Sequence, residues 1–310
     1  MTRFIIKRVG QALITMFLVC FIVFSMGRIS GDPTVFMLGA NASDVDRAAL
    51  RSQLGLDQPL PIQFFSYIGG ILKGDFGTSL YWKMSTLEIF GQFFPMTLQL
   101  ALAAIMFAAV VGIGFGLLSA LKPLGTVDRM TMGLSMMGQS MPTFWLGILL
   151  IQIFSLAMGW LPTSGYGSFA HIILPTIALG WFSTSSIMRI TRSSMIEVLS
   201  AESIKLCRTK GLSEFQVICK HALKNAMPPI LAIIGVQFGY LLSGSVVTEK
   251  IFAWPGIGSL AVQSIANRDF PLLQTIVLLG SGFVLLISLI TDILYATIDS
   301  RISYAEGKDK

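Results

Sequence analysis

Long runs without a charged residue alternate along this chain with short polar segments, and that alternation predicts its elements. A helix needs about 20 mostly apolar residues to cross the hydrocarbon layer of a bilayer, so each run converts into candidate spans. Val9 to Gly27 holds one. Ile89 to Leu121 holds a second behind a polar or interfacial lead-in, the span itself running from about Pro95 to Ala120. The uncharged stretch from Met130 to Met188 must hold two, broken around Gly159 to Gly167 by Pro162 and three glycines. Asn225 to Thr248 and Phe270 to Thr291 supply the last two, giving six.

Composition agrees with that pattern. With 54% hydrophobic and 12% charged residues the chain lies far from a soluble domain and reads as an all-α integral membrane protein. Arg3, Lys7 and Arg8 ahead of the first run resemble the start of a signal peptide. The run is too long for a signal core, however, and Met26-Gly27-Arg28-Ile29-Ser30 is a poor cleavage site, so a retained span is expected. If both ends share one side, that side holds fifteen of the 22 Lys and Arg and the other holds seven, which places both termini in the cytoplasm. The same imbalance accounts for the net charge of +6 and gives no reason to expect a nucleic-acid partner. Three cysteines, one in a span and two on the cytoplasmic side, imply neither a disulfide nor a metal site. The chain divides into a cytoplasmic N-terminus and first span (1–30), an external region (31–94) and a core of spans two to six (95–310). The core carries a cytoplasmic loop at 193–227.

That loop is the strongest local signal. Glu202, Lys205, Arg208 and Lys210 fall at helical spacing before Gly211, a residue suited to end a helix in a left-handed conformation. Ser213 is an N-cap with Gln216 completing a capping box, Leu212 and Val217 are placed for a hydrophobic staple, and Pro228 and Pro229 are expected to end the second helix. A helix, a glycine corner and a helix make a compact knob that can dock into another protein. An ordinary amphipathic loop between two spans is the alternative.

Elsewhere the signals are weaker. Gly112, Gly114 and Gly116 in span two read as helix packing. Gln139, Ser140 and Met141 with Pro142, Thr143, Phe144 and Trp145 interrupt span three, either as a packed proline kink or as a cavity lining. Gln237, Tyr240, Ser243 and Ser245 in span five suggest a face turned to the bundle interior or to a wet path. The external region, with a helical stretch from Asp44 to Leu56, reads as a cap on the outer mouth, and His171 reads as an interfacial residue. No ionisable residue lies deep in a span and no phosphate-binding G-x-x-x-x-G-K-[ST] motif is present, so transport would draw on an outside energy source.

The run RSSMIEVLSAESIKLCRTKGLSEFQVICKHALKNAMPP resembles the cytoplasmic coupling loop of ABC-importer permeases, in the branch that serves dipeptides, oligopeptides, nickel and glutathione. Gly31-Asp32-Pro33, LGLDQPL (Leu54 to Leu60), GDFGTSL (Gly74 to Leu80), SMPTFWLG (Ser140 to Gly147) and the segment Glu249 to Gly258 follow in family order. The resemblance implies a type I ABC-importer permease fold with six spans. It implies a heteromer with a second homologous permease subunit, two ATPase domains and an external solute-binding protein, with ATP and Mg2+ on the ATPase partners and no cofactor on this chain. By the same carry-over, Glu202, Lys205, Arg208, Lys210, Gly211, Leu212, Ser213 and Glu214 face the ATPase. Gln139, Ser140, Met141, Phe144, Gln237, Tyr240 and Ser243 border the translocation path, and Asp32, Asp75, Trp254, Arg268 and Asp269 face the binding protein. One departure stands out: Lys205-Leu206-Cys207 occupies the place where the wider family has Glu-Ala-Ala. Short peptides are the first substrate expectation, then glutathione or a metal chelate. A self-sufficient channel or secondary transporter is the competing reading, and a polytopic membrane enzyme a weaker one.

Overall fold

Within lipid a backbone has no water to bond, so apolar runs must satisfy their amides internally, and here they do so as helices. The computed structural model describes residues 2–29, 34, 38, 43–53 and 55–298. Asp32, Asp299 and the tail from Arg301 lie outside them. In order come α1 (Thr2–Ile29), α2 (Asp44–Gln53), α3 (Leu60–Leu72), α4 (Thr86–Leu121), α5 (Thr126–Ser140) and α6 (Thr143–Leu150), the last continuing as a π-helical turn over Ile151–Ala157. After α7 (Phe169–Ser200) and α8 (Glu202–Thr209), α9 (Glu214–Gln216) passes through a π-helical stretch, Val217–Ala222, into α10 (Leu223–Ile251). The short α11 (Ile257–Ala266) and α12 (Phe270–Ile298) complete the described chain. Among the described residues, five helical segments are long and apolar enough to cross a membrane, and α5 with α6 forms a sixth if the bent pair is one span.

The seam between α4 and α7 is the centre of the bundle. Leu100, Ala101, Ala104 and Ala108 on α4 are fully buried. A Cβ on Gly112 would lie 2.9 Å from the Ile187 side chain, and one on Gly116 would lie 2.6 Å from the Met188 carbonyl oxygen. Gly180 on α7 answers from the other side, approaching the Ala104 carbonyl. Gly114 has open space around it and takes no part. Two of the three span-two glycines therefore serve the backbone contact that lipid-embedded helices need.

Polar clasps then fix which helix ends lie together. At one end Asp128, in the first turn of α5, takes a bidentate bond from Arg192 of α7, Nε to Oδ1 at 2.6 Å and Nη2 to Oδ2 at 2.8 Å. The same carboxylate accepts from the Ser119 hydroxyl and from the Leu124 amide at 2.7 Å. Arg8 of α1 pairs with Asp292 of α12 at 3.3 Å. At the opposite end Thr275 of α12 bonds Thr86 of α4 at 2.8 Å, and Gln274 bonds the Val23 carbonyl of α1 at 3.2 Å. The helices α4 and α12 thus start at one end, and the start of α1, the end of α12 and the α7–α10 connection gather at the other.

Several expectations change. Span three is not a kinked helix: α5 and α6 meet at 108°. Pro142 disfavours the helical region for Met141, whose ψ of 121° is extended, and the chain restarts with Pro142 as the N-cap of α6. Pro228 and Pro229 do not end a helix but lie inside α10. Their missing amides leave the Lys224 and Asn225 carbonyls without i+4 donors, and both residues are exposed at the start of the helix. The region expected to be external holds the apolar helix α3 besides the expected helical stretch. Its Phe64 is buried against Phe17, Phe21 and Phe24 of α1, with ring centroids 5.4–5.6 Å apart. Finally α4 runs unbroken through Pro95, across the division drawn at 94/95.

The Asp128 clasp makes a testable claim, because breaking a buried ion pair leaves one charge uncompensated. Asp128→Asn should destabilise the protein by about 3 kcal/mol, and adding Arg192→Met to it should recover most of that loss. Thermal unfolding of the purified protein in detergent measures both; equal melting temperatures for wild type and Asp128→Asn would show the clasp to be unimportant.

Candidate functional site

The knob predicted between Ser200 and Pro229 is present. Gly211 has φ of +80°, and no neighbouring atom lies within 4 Å of where its Cβ would sit, so glycine is demanded by the left-handed backbone and not by space. The Ser213 hydroxyl accepts from the Gln216 amide at 3.4 Å while the Gln216 side chain accepts from the Ser213 amide at 3.3 Å, the reciprocal capping box. Underneath, Ile204 and Val217 are buried with Met195, Ala222 and Ile230, and Leu212 packs against the same cluster. The knob is therefore seated on α7 and α10.

The charged residues are largely engaged within the knob. Arg208 Nε donates to Glu214 Oε1 at 2.8 Å and Nη2 to Oε2 at 3.3 Å, a fork that closes across the glycine corner. The hydrogen-bonded Glu214 carboxylate raises the Arg208 pKa. Lys205 bonds Glu202 at 2.7 Å. All eight expected contact residues share this surface, seven exposed and Leu212 half-buried. Two residues that sequence reasoning passed over stand on it as well: Leu206 is 56% exposed and Phe215 75%. Phe215 is the one Phe, Tyr or Trp in the stretch from Ser200 to Pro229, which is the signal that could have singled it out. Leu206 and Cys207, the departures from Glu-Ala-Ala, divide their roles: Leu206 points outward and Cys207 packs into the cluster.

The residues expected along a path fall on two surfaces. Ser140, Met141 and Phe144 line a cavity of about 520 Å³ at the α5–α6 elbow with Met136, Met137 and Trp145, and Gln139 is half-buried beside them. Ser243 and Ser245 of α10 line a separate cavity of about 410 Å³ against α1, α11 and α12. Tyr240 is exposed with its ring 5.5 Å from that of Phe182, whereas Gln237 is buried and accepts from the Ser183 hydroxyl at 3.1 Å. The polar groups of span five thus serve both as helix contacts and as open faces. The elbow is coupled to the bundle centre, because Ser135 bonds the Ser185 carbonyl of α7 at 3.1 Å and Gly138 lies close against Trp181 and Ser185.

For two of the residues expected at the outer mouth the sequence reading needs correction. Trp254 and Asp269 were expected to face a partner, yet both are buried. The Trp254 indole donates to the Met96 carbonyl at 2.9 Å. Asp269 accepts from the Ser79 hydroxyl, from the Leu80 and Tyr81 amides at 3.1 and 3.2 Å, and from Leu272 in the first turn of α12 at 3.3 Å. A buried indole or carboxylate needs partners of this kind, which is why they turn inward. Asp75 and Arg268 are on the surface, with Asp75 also accepting from the Gly77 amide at 2.9 Å.

Glu249 was missed as a structural centre. It sits in the last turns of α10, fully buried, accepting from Thr97 at 2.7 Å, Ser245 at 2.9 Å and the Ser259 amide in the first turn of α11 at 2.8 Å. The sequence signal was Pro255-Gly256-Ile257-Gly258 following it: a Cβ on either glycine would crowd the Glu249 carboxylate. Among the described residues no group of three or more His, Cys, Asp and Glu could hold a metal ion.

Comparisons with known proteins agree with this geometry. The family model described as binding-protein-dependent transport system inner membrane component matches residues 112–304, and the model of the N-terminal part of that membrane component matches residues 1–101. The glutathione transport system permease protein GsiC of Salmonella typhimurium (strain LT2) is 43% identical over 305 residues, covering 98% of this chain and all of the relative. GsiC of Escherichia coli (strain K12) is 41% identical over the same extent. Among solved structures, the inward-facing MetNI methionine ABC transporter matches with a TM-score of 0.59 at 19% identity, covering 69% of this chain and 97% of that one. An amino acid ABC transporter crystallised with histidines matches with a TM-score of 0.54 at 17% identity, covering 68% and 94%. These two speak to the fold alone. The chain belongs to the binding-protein-dependent ABC transport family and is a multi-pass inner-membrane permease of a bacterial importer, a transport component and not itself an enzyme.

Proposed function

We propose that this chain is one of two homologous permease subunits of an ATP-driven importer for glutathione or a closely related short peptide. ATP and Mg2+ are held by ATPase partners and an external binding protein delivers the solute. The observation that carries the coupling is the knob: two short helices locked about Gly211 by the Arg208–Glu214 fork and the Ser213 capping box, with Phe215 and Leu206 outward. An exposed aromatic ring on an otherwise polar, preorganised projection is the kind of group that anchors protein interfaces. The substrate reading rests on identity of 41–43% along nearly the whole chain to GsiC, whose name gives glutathione. Glutathione was the second substrate expectation, after short peptides, and is itself a tripeptide.

In the proposed topology the bent pair α5–α6 counts as one crossing, giving six. An even number agrees with the start of α1 and the end of α12 lying at the same end of the bundle. Fifteen of 22 Lys and Arg assign that end, and the knob with it, to the cytoplasm. When the ATPases close on ATP they move the knob, and the knob moves α7 and α10 because its buried face is shared with both. Those helices carry the Ser183–Gln237 contact and brace the elbow, so the displacement reaches the surfaces that border the path. The cycle is a two-state bundle biased by ligand.

Reconstituted in vesicles with its partners, the permease should accumulate labelled glutathione only with ATP inside the ATPase compartment; uptake by this chain alone without ATP would replace the importer with a channel. Gly211→Pro imposes a φ near −65° where the backbone needs +80°, and should abolish uptake while leaving helix content by circular dichroism unchanged. Phe215→Ala, at an exposed site, should leave the melting temperature unchanged and weaken ATPase association by about tenfold or more.

A further inference from the structure

The knob is joined to its two long helices in different ways. Toward α7 the backbone ladder is continuous. A single residue, Ala201, separates α7 from α8; its amide donates to the Val198 carbonyl at 3.0 Å, and the Ile204 amide donates back to the Ala201 carbonyl at 3.0 Å. About two turns before the end of α7, Arg192 is forked onto Asp128. The proline of α7, Pro175, lies in its second turn, at the far end from the knob.

Toward α10 the ladder is broken twice. Val217–Ala222 is π-helical, and the Leu223 amide reaches back five residues to the Ile218 carbonyl. Just over one turn later Pro228 and Pro229 supply no amides, so the Lys224 and Asn225 carbonyls have no i+4 donors. Prolines and π turns are the places where helices bend. The two faces of this segment differ. Ala222, Ala226 and Ile230 recur every four residues, and all three are buried in the cluster that seats the knob. Lys224, Asn225 and Pro229 are exposed. Bending a helix open lengthens the bonds on the side that opens, and here that side holds two carbonyls with no i+4 bond to lose. Two of the three buried residues are alanines, which have no rotamer to change as the segment tilts.

We infer that Val217 to Pro229 is a hinge, so that movement of the knob carries α7 with it and reaches α10 as a tilt. The relative movement is confined to the knob-side half of the bundle, because the other end of α10 is fastened to α4 and α11 through Glu249. A gap between α7 and α10 that opens on the knob side alone is what release of solute toward that side requires. The use made of the hinge rests on the proposed coupling to ATPase partners; its existence does not.

Spin-label distances in the full chain, held in nanodiscs, test the hinge without partners. Ser203→Cys reports on the knob, Arg189→Cys on α7 and Val236→Cys on α10, all at exposed sites. Cys20→Ser, Cys207→Ser and Cys219→Ser remove the native thiols. Distances between 203 and 236 should be more widely distributed than those between 203 and 189. Pro228→Ala combined with Pro229→Ala returns the two missing donors and should narrow the 203–236 distribution, with no loss of melting temperature. In the assembled importer, trapping ATP should shift the 203–236 distance and leave 203–189 in place. The double alanine variant should there take up labelled glutathione about fivefold more slowly at unchanged ATPase association, the low end of coupling between sites. Equal widths in the free chain, or a width indifferent to the alanines, overturn the hinge. A hinge in the free chain with no shift on ATP overturns its use in transport. Failure to bind any ATPase overturns the proposed function instead, and the free-chain widths still decide the hinge.

Discussion

Close approach of α4 and α7 is the constraint on which the rest of this membrane bundle depends. Lipid tails are as apolar as leucine, so nothing like the hydrophobic effect in water pushes these helices together, and only intimate packing with polar contacts can hold them. Gly112 and Gly116 on α4 and Gly180 on α7 remove the side chains that would separate the two backbones. Every other spanning helix is then placed relative to that pair. The end of α5 joins it through Ser135 and Gly138, and α10 through Gln237. α12 reaches it through α10, with Gly235 close against Thr291, and directly through the Thr275–Thr86 bond to α4.

Buried carboxylates finish the job at the two ends. Asp128, Glu249 and Asp269 each collect hydroxyl and amide donors and each reaches a partner far away in sequence, Arg192, Thr97 and Ser79 respectively, and each sits where a helix begins or ends. Carboxylates suit such positions because exposed helix N-termini offer amide donors and a favourable dipole. Asp128 adds a bidentate arginine and so ties α4, α5 and α7 into one block directly beside the knob. Glu249 and Asp269 flank α11, fastening its start to α4 and its far end to the segment around Ser79. The molecule is thereby fastened at both ends of the bundle, the Asp128 block beside the knob at one and the Glu249 and Asp269 contacts at the other, with the packed α4–α7 seam between them.

Much of this was legible in the sequence. The glycine corner, the capping box and the staple of the knob depend on neighbours within a few residues, and local geometry is what sequence encodes most directly. The spans follow from apolar length in the same way, and so does the role of Gly112 as a packing residue. Harder to read were the positions whose meaning comes from distant partners. Trp254 and Asp269 are polar-tipped residues in segments read as external, and nothing in their sequence neighbourhood shows that Met96 and Ser79 wait behind them.

The sequence by itself determined a helical membrane chain with a charged, glycine-cornered knob at one face, because hydrophobic length, charge asymmetry and capping chemistry act over short range. Tertiary structure alone decided that the span at Pro142 breaks through 108°, that Pro228 and Pro229 are carried inside a helix, and that Glu249 is a buried fastener. It also decided that Phe215 stands outward while the Arg208 and Glu214 charges satisfy each other. The physical reason is the same in each case. A bend, a tolerated proline or an inward carboxylate depends on what other helices leave room for and which donors they present, and those are properties of the assembled bundle.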